Sequence, residues 1–223
     1  MRRLWRKVWF RLVVYAVALM AAGFVAVAFT APRPPHDGGH LPTLRGVRTV
    51  SHVDPLLSRL ATLYGGKRVE VRCWSPRDWE RLGNEIAAYT DGHFRPGIWS
   101  AYESTNHRRV NVGPPVCAAL ERLGYSDSPP GSYDEAWWFA WSVWVLLDVT
   151  EQARGFDIRT ADCFALQQIT PLSRALGLER VTARDLGALF WNGIYPKGPA
   201  ARQSAECRPG GKLDLRPRDP RWP

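Results

Sequence analysis

A chain of 223 residues has room for one membrane anchor and one globular domain of ordinary size. Hydrophobic residues at 45% and charged residues at 23% exclude wholesale disorder. The formal charge is +9, but Arg2, Arg3, Arg6, Lys7 and Arg11 carry five of those charges ahead of the first apolar run; the remainder forms no dense basic stripe and excludes nucleic acid as a partner.

Residues 1–11 read as a basic cytoplasmic segment, and Leu12 to Ala31 as a transmembrane helix of twenty residues without a charge. At ~1.5 Å per residue that run matches a bilayer's hydrocarbon core, where only a backbone that satisfies its own hydrogen bonds can cross. Pro32, Pro34 and Pro35 stop it. The positive charges before it place the N-terminus in the cytoplasm and everything after it outside. The expectation is a single-pass cell-membrane protein whose first partner is the lipid bilayer. A cleaved signal peptide is the rival, with Ala26-Val27-Ala28 as its small-residue site, but the apolar run exceeds the usual h-region and favours a retained anchor. Residues 32–46 are rich in Pro and Gly and read as a linker; His36 and His40 lie in it, where a mobile backbone fixes no metal geometry.

Residues 47–223 form the predicted extracytoplasmic domain. Pro55 to Tyr64 reads as a helix closed by Gly65-Gly66, and the alternating Val69 to Cys73 as a strand. Ser75 caps a helix that has Pro76 in its first turn and runs to about Tyr89. Gly97 to Tyr102 and Arg109 to Gly113 read as two strands joined by a polar turn around Ser104 to His107. A short helix covers Pro115 to Leu123, before the breaker Ser126 to Ser132. Glu135 to Arg154 is apolar nearly all round until Asp148, the mark of a buried helix. Its Trp content, its terminal carboxylates and the cysteines on both sides argue against a second membrane span. Trp137, Trp141 and Trp144 share one face and are read as core packing in preference to a sugar platform. Helices over Thr160–Leu176 and Thr182–Ile194 follow, the second with a Thr182/Asp185 capping box. The fold class is α+β, mainly helical with a small sheet or hairpin.

Cys73, Cys117, Cys163 and Cys207 all follow the anchor, and none forms a CxxC pair. An even number in an oxidising compartment predicts two disulfides. Cys73–Cys117 with Cys163–Cys207 is the preferred pairing, closing two loops of 44 residues, although sequence alone leaves three connectivities open.

The stretch Val145 to Gly177, with its block Ala161-Asp162-Cys163-Phe164-Ala165-Leu166-Gln167, resembles a family of exported actinobacterial proteins related to zinc metallopeptidases. The tail Glu206 to Leu215 and the ending Arg221-Trp222-Pro223 are similar to that family's C-terminus, and Cys73 and Cys117 sit where members have cysteines. The resemblance implies a zincin-like domain. In that family the corresponding helix carries HExxH: two His on one face bind zinc, and the Glu between them acts as general base. Aligned on Cys163 without gaps, the His positions fall on Leu147 and Glu151 and the Glu position on Asp148. The downstream acidic position falls on Ile158, beside Asp157. Leu147 coordinates nothing, and no His follows His107; rescue would have to come from His93 or His107.

These departures imply a scaffold kept and a metal lost. The expected protein is a pseudo-metallopeptidase of the cell envelope, without catalytic residues, metal or cofactor, that binds an envelope protein or peptide or serves structurally. One alternative is an active hydrolase built on the carboxylates Asp148, Glu151 and Asp157. Another is a structural ectodomain unrelated to peptidases. Asp148 and Glu151 are otherwise read as the polar end of the buried helix, paired with Arg154 or other cations. A fold in which Glu135 to Arg154 fails to flank an edge strand would favour the unrelated ectodomain.

Overall fold

The computed structural model describes residues 47–90, 100–103, 108–125 and 130–218. The predicted anchor and linker lie outside the described residues, as do His36, His40, His93 and His107. Among the described residues no helix is long and apolar enough to cross a membrane.

A small mixed sheet is built from β1 (His52–Val53), β2 (Glu70–Cys73), β3 (Ala101–Glu103) and β4 (Arg109–Val112), in the order β1-β2-β4-β3. The expected hairpin is the antiparallel pair β3–β4. Its partner β2 runs parallel to β4, and the Arg109 Nε to Glu70 Oε1 bond at 2.8 Å marks one end of their register. A parallel pair needs a long crossover, here supplied by α2 (Pro76–Tyr89) and then β3. The two inner strands bury Val71, Cys73, Val110 and Val112, whereas β1 is a two-residue edge too short to leave a periodic signal.

The helices begin and end where local chemistry dictates. Asp54 caps α1 (Pro55–Gly65) by accepting from the Leu57 amide at 2.7 Å, and Gly66 closes it at φ 60°. Ser75 caps α2 as expected, accepting from the Asp78 amide at 3.2 Å. After α3 (Pro114–Tyr125) comes α4 (Tyr133–Ala153), capped by Ser132. Every residue of α4 from Trp137 to Glu151 is buried, which is why its apolar pattern runs all round. Each large side chain taken out of water there stabilises by roughly 1.5–3 kcal/mol.

Trp137 stacks on Trp141 at 5.5 Å, Trp141 leans on Trp144 at 5.0 Å, and Trp144 meets Phe190 at 5.1 Å. The Trp face is therefore core, as its spacing suggested. α4 packs on β3 and β4 and also carries α5 (Ile158–Ala175), which is followed by α6 (Arg180–Leu189). The helical path continues as a π turn over Phe190–Ile194 and two 3-10 turns, Tyr195–Lys197 and Ala200–Arg202.

One predicted cap is corrected. α6 starts at Arg180 with Glu179 in the N-cap position and no side-chain cap bond, so Thr182 and Asp185 lie inside the helix. Gly177, at φ 103°, ends α5 in a tight turn that leaves only Leu178 and Glu179 before the next helix. The chain restarts too early for Thr182 to cap it.

Both preferred disulfides are present, with Cα–Cα separations of 5.7 Å for Cys73–Cys117 and 5.5 Å for Cys163–Cys207. The first ties β2 to α3. The second ties α5 to the C-terminal tail.

Candidate functional site

Polar residues are sparse inside this core, and several of them meet where the C-terminal half of α4 faces α5. A buried polar group costs free energy unless it is hydrogen-bonded, and partners satisfy this cluster except at Asp148 Oδ1, which is buried without one. From α4 come Asp148, Glu151 and Gln152; from α5 come Asp162 and Gln168. They separate into two groups along the helix interface.

In the first, Glu151 is fully buried at 0% exposure. Its oxygens accept from Gln168 Nε2 at 2.7 Å and from Arg154 Nη1 at 2.7 Å. Burial raises its affinity for a proton, against the opposing pull of the Gln168 bond and the Arg154 charge. The pairing with Arg154 is the one the sequence suggested.

In the second, Arg202 enters from the 3-10 turn at the start of the tail. Its Nε and Nη2 each lie 2.6 Å from an Asp162 oxygen, and Nη2 reaches Asp148 Oδ2 at 2.7 Å. Gln152 Nε2 donates to the same Asp148 oxygen at 2.9 Å. The guanidinium also lies over the Trp144 ring, 4.9 Å from its centroid. Two carboxylates and one cation leave a buried excess of negative charge. Burial first, and the Asp148 charge second, push Asp162 up to about 9. A proton on Asp162 is thus favoured by burial and by its acidic neighbour, against the pull of the Arg202 fork. With it bound, pair and guanidinium are together neutral. Burial works against the Arg202 charge, but the two carboxylates outweigh it and hold the guanidinium charged.

The tail is strapped in place around this contact. Arg159 Nε donates to the Ala201 carbonyl at 2.9 Å. Gln167 donates to the Leu213 carbonyl at 2.7 Å and accepts from the Leu215 amide at 2.7 Å. The Cys163–Cys207 bridge adds the covalent link. Beside Arg202 is a cavity of about 20 Å³ lined by Trp144, Asp162, Tyr195, Gly198 and Gln203 among others, a volume that admits about one water.

The positions matched to HExxH do not fit a zinc ion. Leu147 is apolar and 1% exposed, and the carboxylates of Asp148 and Glu151 are both engaged by arginines. Asp157 does not join them: it is exposed and caps α5, accepting from the Arg159 and Thr160 amides at 3.0 and 3.2 Å. The Thr160 hydroxyl bond, more than any other contact, keeps its pKa low. Among the described residues the grouping of His, Cys and acidic side chains close enough to share an ion is His52, Cys73 and Glu121, on β1, β2 and α3.

Sequence reasoning named Asp148 and Glu151 but missed Asp162, Gln168 and Arg202 as their partners. Asp162 stood inside the motif block without a role. Arg202 carried no local signal, because it is separated from Asp162 by 40 residues and from Asp148 by 54. No protein family, curated protein or solved structure matches the chain.

Proposed function

We propose that this chain is a non-catalytic relative of zinc metallopeptidases, anchored in the membrane by its N-terminal helix, whose exported domain binds an envelope protein or peptide. One observation carries the reading. Arg202 supplies the positive charge between Asp148 and Asp162, on the helix pair where the resemblance would put a metal. A guanidinium held by two carboxylates in a buried interface is a fixed structural cation. It activates no water.

Two further features support it. α4 packs against β3, an edge strand antiparallel to its neighbour, so the arrangement that would have favoured an unrelated ectodomain is not the one seen. The cavity beside the pair, about 20 Å³, is of a size for about one water. A carboxylate-based hydrolase draws on the raised proton affinity of Asp162 beside Asp148. Its weakness is that the same fork that binds the pair also blocks it.

The test is metal content and peptide hydrolysis of the full chain, purified in detergent with both disulfides intact and without a histidine tag. Near-zero zinc per chain and no hydrolysis are expected. One tightly held zinc per oxidised chain, lost in Asp148→Asn or Glu151→Gln, would overturn the reading.

A further inference from the structure

The Cys73–Cys117 bridge sits among groups that have no role in holding it. Cross-strand pairing places His52 of β1 directly opposite Cys73 of β2. Cys117 and Glu121 lie four residues apart on α3, hence on one helical face. His52 Nε2 is 2.6 Å from Glu121 Oε1, and the donor atoms of His52, Cys73 and Glu121 all fall within 4.8 Å of one another. Four metal-binding side chains therefore converge from a strand pair and a helix: two sulfurs, one imidazole and one carboxylate.

We propose that the reduced form of this chain binds one zinc ion through Cys73, Cys117, His52 and Glu121, so that disulfide and metal are alternative states of one site. In a tetrahedral zinc centre the donors stand about 3.3–3.8 Å apart. Seating an ion thus closes the widest separation by about 1 Å, while the His52–Glu121 pair, now at 2.6 Å, and the two sulfurs, once their bond is broken, move apart to that spacing. The chemistry of the surroundings suits it. His52 Nδ1 faces the Val50 carbonyl at 3.4 Å, an acceptor only, which leaves Nε2 as the coordinating nitrogen. Two thiolates and a carboxylate give a dication one surplus negative charge, and Arg48 Nε lies 3.4 Å from Glu121 to offset it. The sulfurs are buried, with Cys73 2% and Cys117 3% exposed, while the His52 side chain at 24% opens the site to solvent.

The exchange needs a dithiol reductant. Two electrons from it break the Cys73–Cys117 bond, its own sulfurs close into a disulfide, and two cysteine thiols form. Zinc then displaces both thiol protons to solvent as it binds. The site is separate from the α4–α5 cluster, and the redox state distinguishes the two: zinc at the degenerate motif would be present in the oxidised chain, zinc here only after reduction.

The experiment is zinc titration of the full chain in detergent, before and after reduction, against a competing chelator, with the protected cysteines mapped by alkylation and mass spectrometry. One zinc per reduced chain is expected, with Cys73 and Cys117 protected and Cys163 and Cys207 still alkylated. His52→Ala and Glu121→Ala should each weaken binding by about tenfold or more. Cobalt in place of zinc should show thiolate charge-transfer absorption and the spectrum of a tetrahedral ion. No zinc in the reduced wild-type chain, or protection at Cys163 and Cys207 instead, would overturn the proposal without reliance on any variant. So would unchanged affinity in a folded His52→Ala.

Discussion

Arg202 takes both oxygens of Asp162 in a fork, its Nε and Nη2 each 2.6 Å from a carboxylate oxygen. The same Nη2 reaches on to Asp148, so one side chain from the tail bridges carboxylates on two helices. Only a planar guanidinium supplies parallel donors in this way; a lysine would offer a point charge and lose the fork.

Removing that cation should be costly. Arg202→Met leaves two buried carboxylates facing each other, and breaking a buried pair from one side costs about 3–5 kcal/mol. Arg202→Lys should fall between wild type and Arg202→Met, since it keeps the charge without the geometry. Urea unfolding of the full chain reads the difference as a lower midpoint. A change below about 1 kcal/mol in Arg202→Met would mean that the pair is solvated in solution, against its burial here.

The raised proton affinity of Asp162 predicts a pH dependence. Asp162 is pushed up to about 9 in the folded chain, with burial the larger cause, whereas an unfolded Asp releases its proton near ~3.9. Between those values the folded chain binds more protons than the unfolded one. The stability linked to this group is therefore full below about pH 4 and is lost as pH rises through about 9. Glu151, raised chiefly by burial, acts in the same direction. Urea midpoints measured from pH 5 to 9 should decline in wild type more steeply than in Asp162→Asn, which cannot titrate. The wild-type excess slope is bounded at about 1.4 kcal/mol per pH unit for one proton. Identical slopes in the two proteins would mean that the pair is ionised across the range.

The tail should come loose when its bridge is cut. In the chain-entropy treatment a loop of 44 residues gives the Cys163–Cys207 link about 4 kcal/mol. Cys163→Ser with Cys207→Ser should lower stability by up to that amount and raise amide exchange in the 203–218 stretch. Because the bridge helps position Arg202, its loss and Arg202→Met should combine non-additively, by about 0.5 kcal/mol or more. Strict additivity would show that the 3-10 turn places Arg202 unaided.

The elements that sequence revealed were those with local signals. Asp148 ending an apolar run marked α4, Ser75-Pro76 opened α2, and Gly65-Gly66 closed α1. The strand order was not legible, since a parallel β2–β4 pair depends on a crossover and β1 contributes only His52 and Val53. The Thr182/Asp185 pattern misled because the turn at Gly177 was too tight to leave room for a cap. The charge cluster was half legible. Asp148 and Glu151 stood out as carboxylates at the end of an apolar helix. Their partners on α5 and in the tail are set by tertiary packing, which leaves no spacing to read.

The position of α4, and with it Asp148 and the neighbours of β3, depends on how closely α1 can approach. Gly65, the last residue of α1, faces Thr150 on α4 with no room for a side chain: a Cβ there would overlap Thr150 Cγ2, while the next nearest atoms stand 3.9 Å away. In an open helix, glycine to alanine stabilises by roughly 0.5–1 kcal/mol. Here the overlap should reverse the sign, so that Gly65→Ala destabilises by about 1–3 kcal/mol. Thr150→Ser removes only the obstructing methyl and keeps the hydroxyl that donates to the Leu146 carbonyl at 2.6 Å. The double variant Gly65→Ala/Thr150→Ser should recover most of the loss. Thermal or urea unfolding of the three variants separates the outcomes. A stabilising Gly65→Ala would mean that α1 and α4 stand further apart than this packing requires. A loss that Thr150→Ser fails to relieve would place the obstruction elsewhere.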